Sequence, residues 1–278
     1  MMSADILHPD KMRPAREGLA AEVWREVYAA AEEAAQQEPR LCGMLDDVVL
    51  SRNSLCNAVA VRLARKLSRH DIGRDELEPL IRTTLRKSPL TLDCIAADLR
   101  AVLERDAACN SLLEPLLFFK GFLALTTQRI SHLLWADGRH LLALLFQSLS
   151  SEVFAIDIHP AAQIGCGIFM DHGTGIVIGE TAIIENDVSM LHEVTLGGTG
   201  KLKGGARHPI VRSGVLIGAG AKILGRIEIG EGAKIAASSV VLQNVCPHTT
   251  VAGVPAVVVG SPEVDVPAMY MQQCLGRA

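Results

Sequence analysis

The chain has 278 residues, enough for one large domain or two ordinary ones, and is 49% hydrophobic but only 4% aromatic, so its core is expected to be Ala, Val, Ile and Leu. A formal net charge of −4 and a pI of about 6.1 argue against the strongly basic face of a nucleic-acid binder. The longest apolar run, Leu141 to Phe146, is too short to cross a bilayer and the polar start lacks a signal-peptide core, so a cytoplasmic protein with no membrane partner is expected. Residues 1–16 read as a loose start. Residues 17–156 then read as helices. Leu19, Val23, Val27, Ala30 and Ala34 fall at three- and four-residue steps that stop at Pro39. Leu55, Val59, Leu63 and Leu67 repeat the pattern. Further helices are predicted over 75–87, 91–106, 116–137 and 140–154, with Gly73, Pro89 and Gly138 in the connections. Seven scattered cysteines, an odd count with no C-x-x-C pair, point to reduced thiols.

From residue 157 the period changes. Small aliphatics recur every six residues at 164, 170, 176, 182, 188 and 194, and again at 211, 217, 223, 229, 235 and 241. Neither a helix nor an isolated strand has that spacing; it marks a parallel β-helix, three short strands to a coil of about 18 residues. One aliphatic per unit points inward and stacks on its counterpart in the next coil, about 4.8 Å away. An insertion at 200–210, rich in Gly and Lys, breaks the count and reads as a loop thrown out from one coil; it carries Arg207 and His208. Asp171 and His172 lie on an earlier coil, and Asp157 is close to one coil before His172.

The stretches "DIHPAAQIGCGIFMDHGTGIVIGETAIIEND", "VTLGGTG", "RHP" and "VAGVPA", with "AADLRAVLERD" and "FFKGFLAL" in the helical half, resemble the serine acetyltransferases. The resemblance implies an α + β protein, with an N-terminal helical domain (17–156) used for oligomerisation and for part of the serine site. A left-handed parallel β-helix (157–260) and a C-terminal tail (261–278) follow. The implied reaction moves acetyl from acetyl-CoA to the hydroxyl of L-serine, with no metal and no acyl-enzyme. An alcohol is a poor nucleophile without a base that works near neutrality. His172 matches the family's base and Asp157 the carboxylate that holds its imidazole, a triad logic with the substrate's own hydroxyl as nucleophile. Asp106 and Asp171 match partners of the serine ammonium, Arg207 a clamp for its carboxylate, and His208 a second substrate-facing histidine. Gly198, Thr199, Ala219 and Ala237 match backbone positions along the pantetheine arm, with Lys222 and Lys234 as candidates for the phosphates.

By spacing alone, His172 is a turn histidine and Asp106 a surface charge; the matched set promotes both. His159 and His192 are read as structural, and Cys166 as a small repeat-filling residue rather than an acetyl carrier. Three other functions compete with this one. Another hexapeptide acyltransferase would not need carboxylates and a guanidinium for a zwitterion. A γ-type carbonic anhydrase needs three histidines on one zinc, and after His208 the next is His248. A non-catalytic scaffold would not need a base. Three-sided prisms form a cleft where two meet, so a homotrimer with sites shared between neighbours is expected, paired by the helical domain into a dimer of trimers. L-Cysteine, with the same ammonium and carboxylate as serine, is the implied feedback inhibitor. Many relatives end in an isoleucine that enters O-acetylserine sulfhydrylase; this chain ends in Ala278, which casts doubt on that complex.

Overall fold

A computed structural model describes residues 18–200 and 205–274; the expected loose start, the middle of the inserted loop and Ala278 lie outside the described residues. Eight helices run from Leu19 to Phe154: α1 (Leu19–Gln37), α2 (Cys42–Leu45), α3 (Leu55–Leu67), α4 (Arg74–Arg86), α5 (Pro89–Arg105), α6 (Leu113–Leu117), α7 (Lys120–Ala136) and α8 (His140–Phe154). The apolar stripes do what their spacing demands: Val23, Val27 and Ala31 of α1 are fully buried. Start signals work locally too. The Ser54 hydroxyl accepts from Asn57 N ahead of α3, and Pro89 opens α5.

Two features differ from the pattern reading. No helix was expected at 42–50, yet α2 runs into a π-helical turn, Asp46–Leu50. Asp47 there accepts hydrogen bonds from Arg52, Arg65 and Arg74, a tertiary anchor without a periodic signature. The helix expected over 116–137 is two helices, with extended backbone at Phe119 (ψ 111°) between α6 and α7. The break lets α7 begin against the coiled half: a Cβ on Gly121 would lie 2.0 Å from the Met170 carbonyl oxygen.

From Asp157 the chain winds through three sheets in rotation. The first holds β1 (Asp157–Ile158), β4 (Val177–Ile178), β7 (Thr195–Gly197), β10 (Lys222–Leu224) and β13 (Val240–Val241). The second holds β2 (Gln163–Ile164), β5 (Ile183–Ile184), β8 (Ile210–Val211) and β11 (Glu228–Ile229). The third holds β3 (Phe169–Met170), β6 (Ser189–Met190), β9 (Leu216–Ile217), β12 (Lys234–Ile235), β14 (Thr250–Gly253) and β15 (Ala256–Gly260). All pairings are parallel except the closing β14–β15 hairpin.

The register corrects the six-residue count. Val177 pairs with Thr195, 18 residues on, but Asp157 pairs with Val177, 20 on, and Ile183 with Ile210, 27 on. The first coil therefore carries two extra residues. Phe169 to Val177 takes eight residues where Ser189 to Thr195 takes six, so the extra pair falls at the corner Asp171–Gly175. The inward strand residues are Ile164 and Met170, as counted, and then Ile178, Ile184, Met190 and Leu196. Ile176, Ala182, Val188 and Val194 are the corner aliphatics two places earlier, also fully buried. Each unit buries two apolar side chains, so the count slides by two without any visible change in composition.

The halves are joined by a buried ion pair. Arg129 of α7 donates to Asp98 of α5 through Nε (2.7 Å) and Nη2 (2.9 Å), and to the carbonyls of Ile164 and Gly165. Asp98, fully buried, also accepts from Ile168 N at 2.9 Å. Nearby, Cys94 of α5 and Cys166 are disulfide-bonded, against the expectation of reduced thiols and of Cys166 as mere filling. The remaining five cysteines are free. Finally α9 (Pro267–Tyr270) lies back on the third sheet, where Ser189 Oγ donates to the Ala268 carbonyl.

Candidate active site

The corners stack into columns. Between the third and first sheets, Gly175 N donates to Ala155 O, Glu193 N to Thr174 O, Gly220 N to His192 O and Ser238 N to Ala219 O. His172 sits on the extra-long corner of this column with φ 55°, the left-handed region that a non-glycine residue enters at a cost. Its side chain is 73% exposed; Nε2 lies 3.8 Å from Asp171 Oδ1, and its ring is 5.8 Å from that of His192. Asp106, the residue that ends α5, shares with Asp171 and His172 a cavity of about 540 Å³ between the helical half and the first coil. Burial pushes the Asp171 carboxyl above the usual carboxylate range; His172 opposes the shift and the Asp106 charge adds to it.

A second cluster lies on the opposite edge of the first sheet, at the column leading into the second. Arg207 Nη2 pairs with Glu180 Oε2 at 2.5 Å, and the guanidinium holds the Glu180 carboxyl below its ordinary value. Thr181 Oγ1 accepts from Arg207 N (2.9 Å) and His208 N (3.1 Å), pinning the end of the inserted loop. Thr181 N donates to His208 Nδ1 at 3.1 Å, which leaves the His208 proton on Nε2. Burial, then the Arg207 charge, lowers the pKa of His208, in keeping with a neutral ring. That ring fills the space beside Gly179, where a Cβ would come within 2.1 Å of Nε2. His159 is lowered by burial, with the charges of Glu180 and Asp157 opposing, so it belongs to this cluster and not to the first. Asp157 Oδ1 accepts from Gln147 Nε2 at 2.6 Å.

The predicted site residues are therefore divided: Asp106, Asp171 and His172 stand on one edge of the first sheet and Arg207 and His208 on the other, while Asp157 lies on the face between them, on β1. No described hydrogen bond or ion pair joins Asp157 to His172 within the chain. The positions matched to the donor divide likewise. Ala219 stands one coil above His192, with Ala237 beside it in the next coil, while Gly198 and Thr199 lie exposed near Arg207. Lys222, on the first sheet, donates to the Glu193 carbonyl. Lys234 is buried on the third sheet and donates to the Cys274 carbonyl. His172, His208 and His248 stand on three different corner columns. Among the described residues no group of three or more His, Cys, Asp or Glu side chains is placed to hold a metal ion, and no helix is long and apolar enough to cross a membrane.

The family description "Serine acetyltransferase, N-terminal" matches residues 23–127, and "Bacterial transferase hexapeptide (six repeats)" matches 208–243. A curated relative, the serine acetyltransferase of Escherichia coli (strain K12), is 51% identical over 251 residues, 90% of this chain and 92% of that protein. The chain belongs to the serine acetyltransferase family. It is an acyltransferase, with acetyl-CoA as donor and serine as acceptor. The solved structure of serine acetyltransferase from Vibrio cholerae is similar at a TM-score of 0.91 and 47% identity, covering 93% of this chain and 100% of that one. A serine acetyltransferase in complex with cysteine aligns at 0.90 and 47% identity, covering 92% and 99%. The Brucella abortus serine acetyltransferase in complex with coenzyme A aligns at 0.84 and 48% identity, covering 86% and 96%.

Beside these clusters lie His192, read from the sequence as structural, and Glu180, Gln147 and Lys120, to which the sequence assigned no part. His192 follows His172 by 20 residues, the length of that coil, so the register would have paired them had the two extra residues been recognised. Glu180 precedes Arg207 by 27 residues, one coil with its insertion. Gln147 and Lys120 carry no such signal, since they reach the site from helices.

Proposed function

We propose that acetyl transfer to L-serine takes place in a cleft between two copies of this chain, one supplying the His172 corner and the other Asp157 together with the Arg207–His208 edge. The observation that carries this is the division of one matched residue set between opposite edges of the first sheet. Two left-handed coils lying side by side in a trimer would bring one copy's His172 edge to its neighbour's Arg207 edge, three times over. The helical domain is then the contact by which two trimers pair.

In that cleft Asp106 and Asp171 hold the serine ammonium, and Arg207, aligned by Glu180, takes the carboxylate. His208, neutral, offers Nε2–H to the substrate. His172 accepts the hydroxyl proton as the serine oxygen attacks the thioester carbonyl, and the neighbour's Asp157 stabilises the imidazolium that forms. The carbon–sulfur bond then breaks, and His172 returns the proton to the departing thiolate. The donor's arm runs along Ala219 and Ala237 of one copy and Gly198 and Thr199 of the other, with Lys222 toward the phosphates, whereas Lys234 is buried on the third sheet against the Cys274 carbonyl. L-Cysteine offers the same ammonium and carboxylate and binds in place of serine, in a cytoplasmic enzyme under feedback control.

The test is complementation. His172→Ala and Arg207→Ala chains, each inactive alone, are co-expressed and purified as mixed assemblies through two tags. With sites shared between neighbours, random 1:1 mixing rebuilds about one site in four, so roughly a quarter of the wild-type rate returns. With both halves drawn from one chain, no intact site forms; a mixture that stays silent refutes the reading.

A further inference from the structure

The bulged corner 171–175 is conformationally costly. His172, Gly173 and Gly175 all have positive φ (55°, 75° and 75°), and a left-handed non-glycine residue persists only where its surroundings over-determine it. Backbone bonds fasten the corner's ends, Asp171 N to Met190 O at 2.8 Å and Gly175 N to Ala155 O at 2.7 Å. Between those ends the start of α7 presses on the corner. A Cβ on Gly173 would meet Gly121 Cα at 3.3 Å, and Gly121 itself sits against the Met170 carbonyl. The neighbouring Lys120 donates from Nζ to Thr174 Oγ1, and both line the cavity that contains Asp106, Asp171 and His172. Lys120 thus reaches from the helical half to the residue two places beyond His172.

We propose that Lys120 is a positioning residue for the transfer: its ammonium, tied to Thr174, holds the corner so that the His172 imidazole faces the incoming hydroxyl. The proposal rests on His172 being the base. Two other residues would be displaced by its loss, because Thr174 O accepts from Glu193 N and Glu193 adjoins His192. A misplacement of about 1 Å at a reacting group costs up to roughly 100-fold in rate. A long flexible cation need not be lost entirely for that to happen; it need only cease to fix the hydroxyl of Thr174.

Steady-state kinetics of Lys120→Met, Lys120→Arg, Thr174→Val, the Met/Val double variant and His172→Ala test it, with melting temperature recorded for each. Lys120→Met is expected to lower kcat about 10- to 100-fold with KM for acetyl-CoA within about twofold. Thr174→Val should lose as much, the double variant no more than either single one, and Lys120→Arg should regain most of the rate. Wild-type kcat in Lys120→Met, or losses that multiply in the double variant, overturns the proposal while leaving His172 as the base. A rise confined to KM for serine also overturns it, because Lys120 would then be a substrate contact. His172→Ala at full rate overturns both. If Lys120→Met fails to fold, Thr174→Val and Lys120→Arg decide alone: near-wild-type kcat in Thr174→Val refutes the tie.

Discussion

Arg129→Met isolates the joint between the two halves of the molecule. The substitution keeps the length of the stem but removes the guanidinium that makes two bonds to Asp98 and one each to the Ile164 and Gly165 carbonyls. Asp98 is then fully buried with only backbone donors such as Ile168 N. Breaking a buried pair from one side costs about 3–5 kcal/mol, because the surviving charge keeps its desolvation penalty and loses its partner. For a chain of this size that corresponds to a fall of about 10 °C in Tm. The sign with pH follows as well. Burial already raises the Asp98 pKa, with Arg129 the main opposing influence; without Arg129 the folded state binds a proton more readily than the unfolded chain. The deficit should therefore shrink as pH falls and grow as it rises. Asp98→Asn added to Arg129→Met should recover part of the loss by removing the orphaned charge. The assay is thermal unfolding at one fixed protein concentration between pH 5 and 8, since assembly also stabilises. Because the joint sets α5 and α7, which carry Asp106 and Lys120, against the His172 corner, kcat should fall with stability. A Tm shift below about 2 °C at pH 7, or an Asp98→Asn change that deepens the loss, would refute the account.

Burial and Arg207 lower the His208 pKa, so on acidification the unfolded chain takes up a proton before the folded one does. That contribution to stability is present above the ordinary histidine value of about 6.5 and is lost as pH falls through it toward the folded value. His208→Gln should flatten the decline of Tm between pH 7.5 and 5.5, and an unchanged slope would show the ring is not held neutral. The Cys94–Cys166 bond makes a count: denatured protein without reductant should titrate five thiols per chain, rising by two on reduction. Seven at the outset would contradict the bond.

Sequence foretells structure where the deciding contacts are local. Pro39, Ser54 and Pro89 mark helix ends through their own backbone chemistry, so the boundaries near them were readable. The break at Phe118–Phe119 was not, because nothing in that apolar run forbids a helix; it is imposed by the approach of Gly121 to Met170. The same limit applied to Asp157 and His172. Their separation suggested contact between neighbouring coils, but Asp157 lies on β1 and is bonded to Gln147, while His172 sits on the lengthened corner, and no described bond joins the two.

By itself the sequence determined the six-residue repeat, the helical half before it and which imidazoles, carboxylates and guanidinium the chain can bring to a site. Those follow from which side chains are small, apolar or charged at which interval, and any fold of the chain must honour them. The tertiary structure alone decided which of them meet. Two extra residues lengthen one corner and shift the register of every later pairing with the first coil, and α7 brings Lys120 to Thr174, 54 residues on in the chain. Separation along a chain measures distance in space only while every turn is the same size.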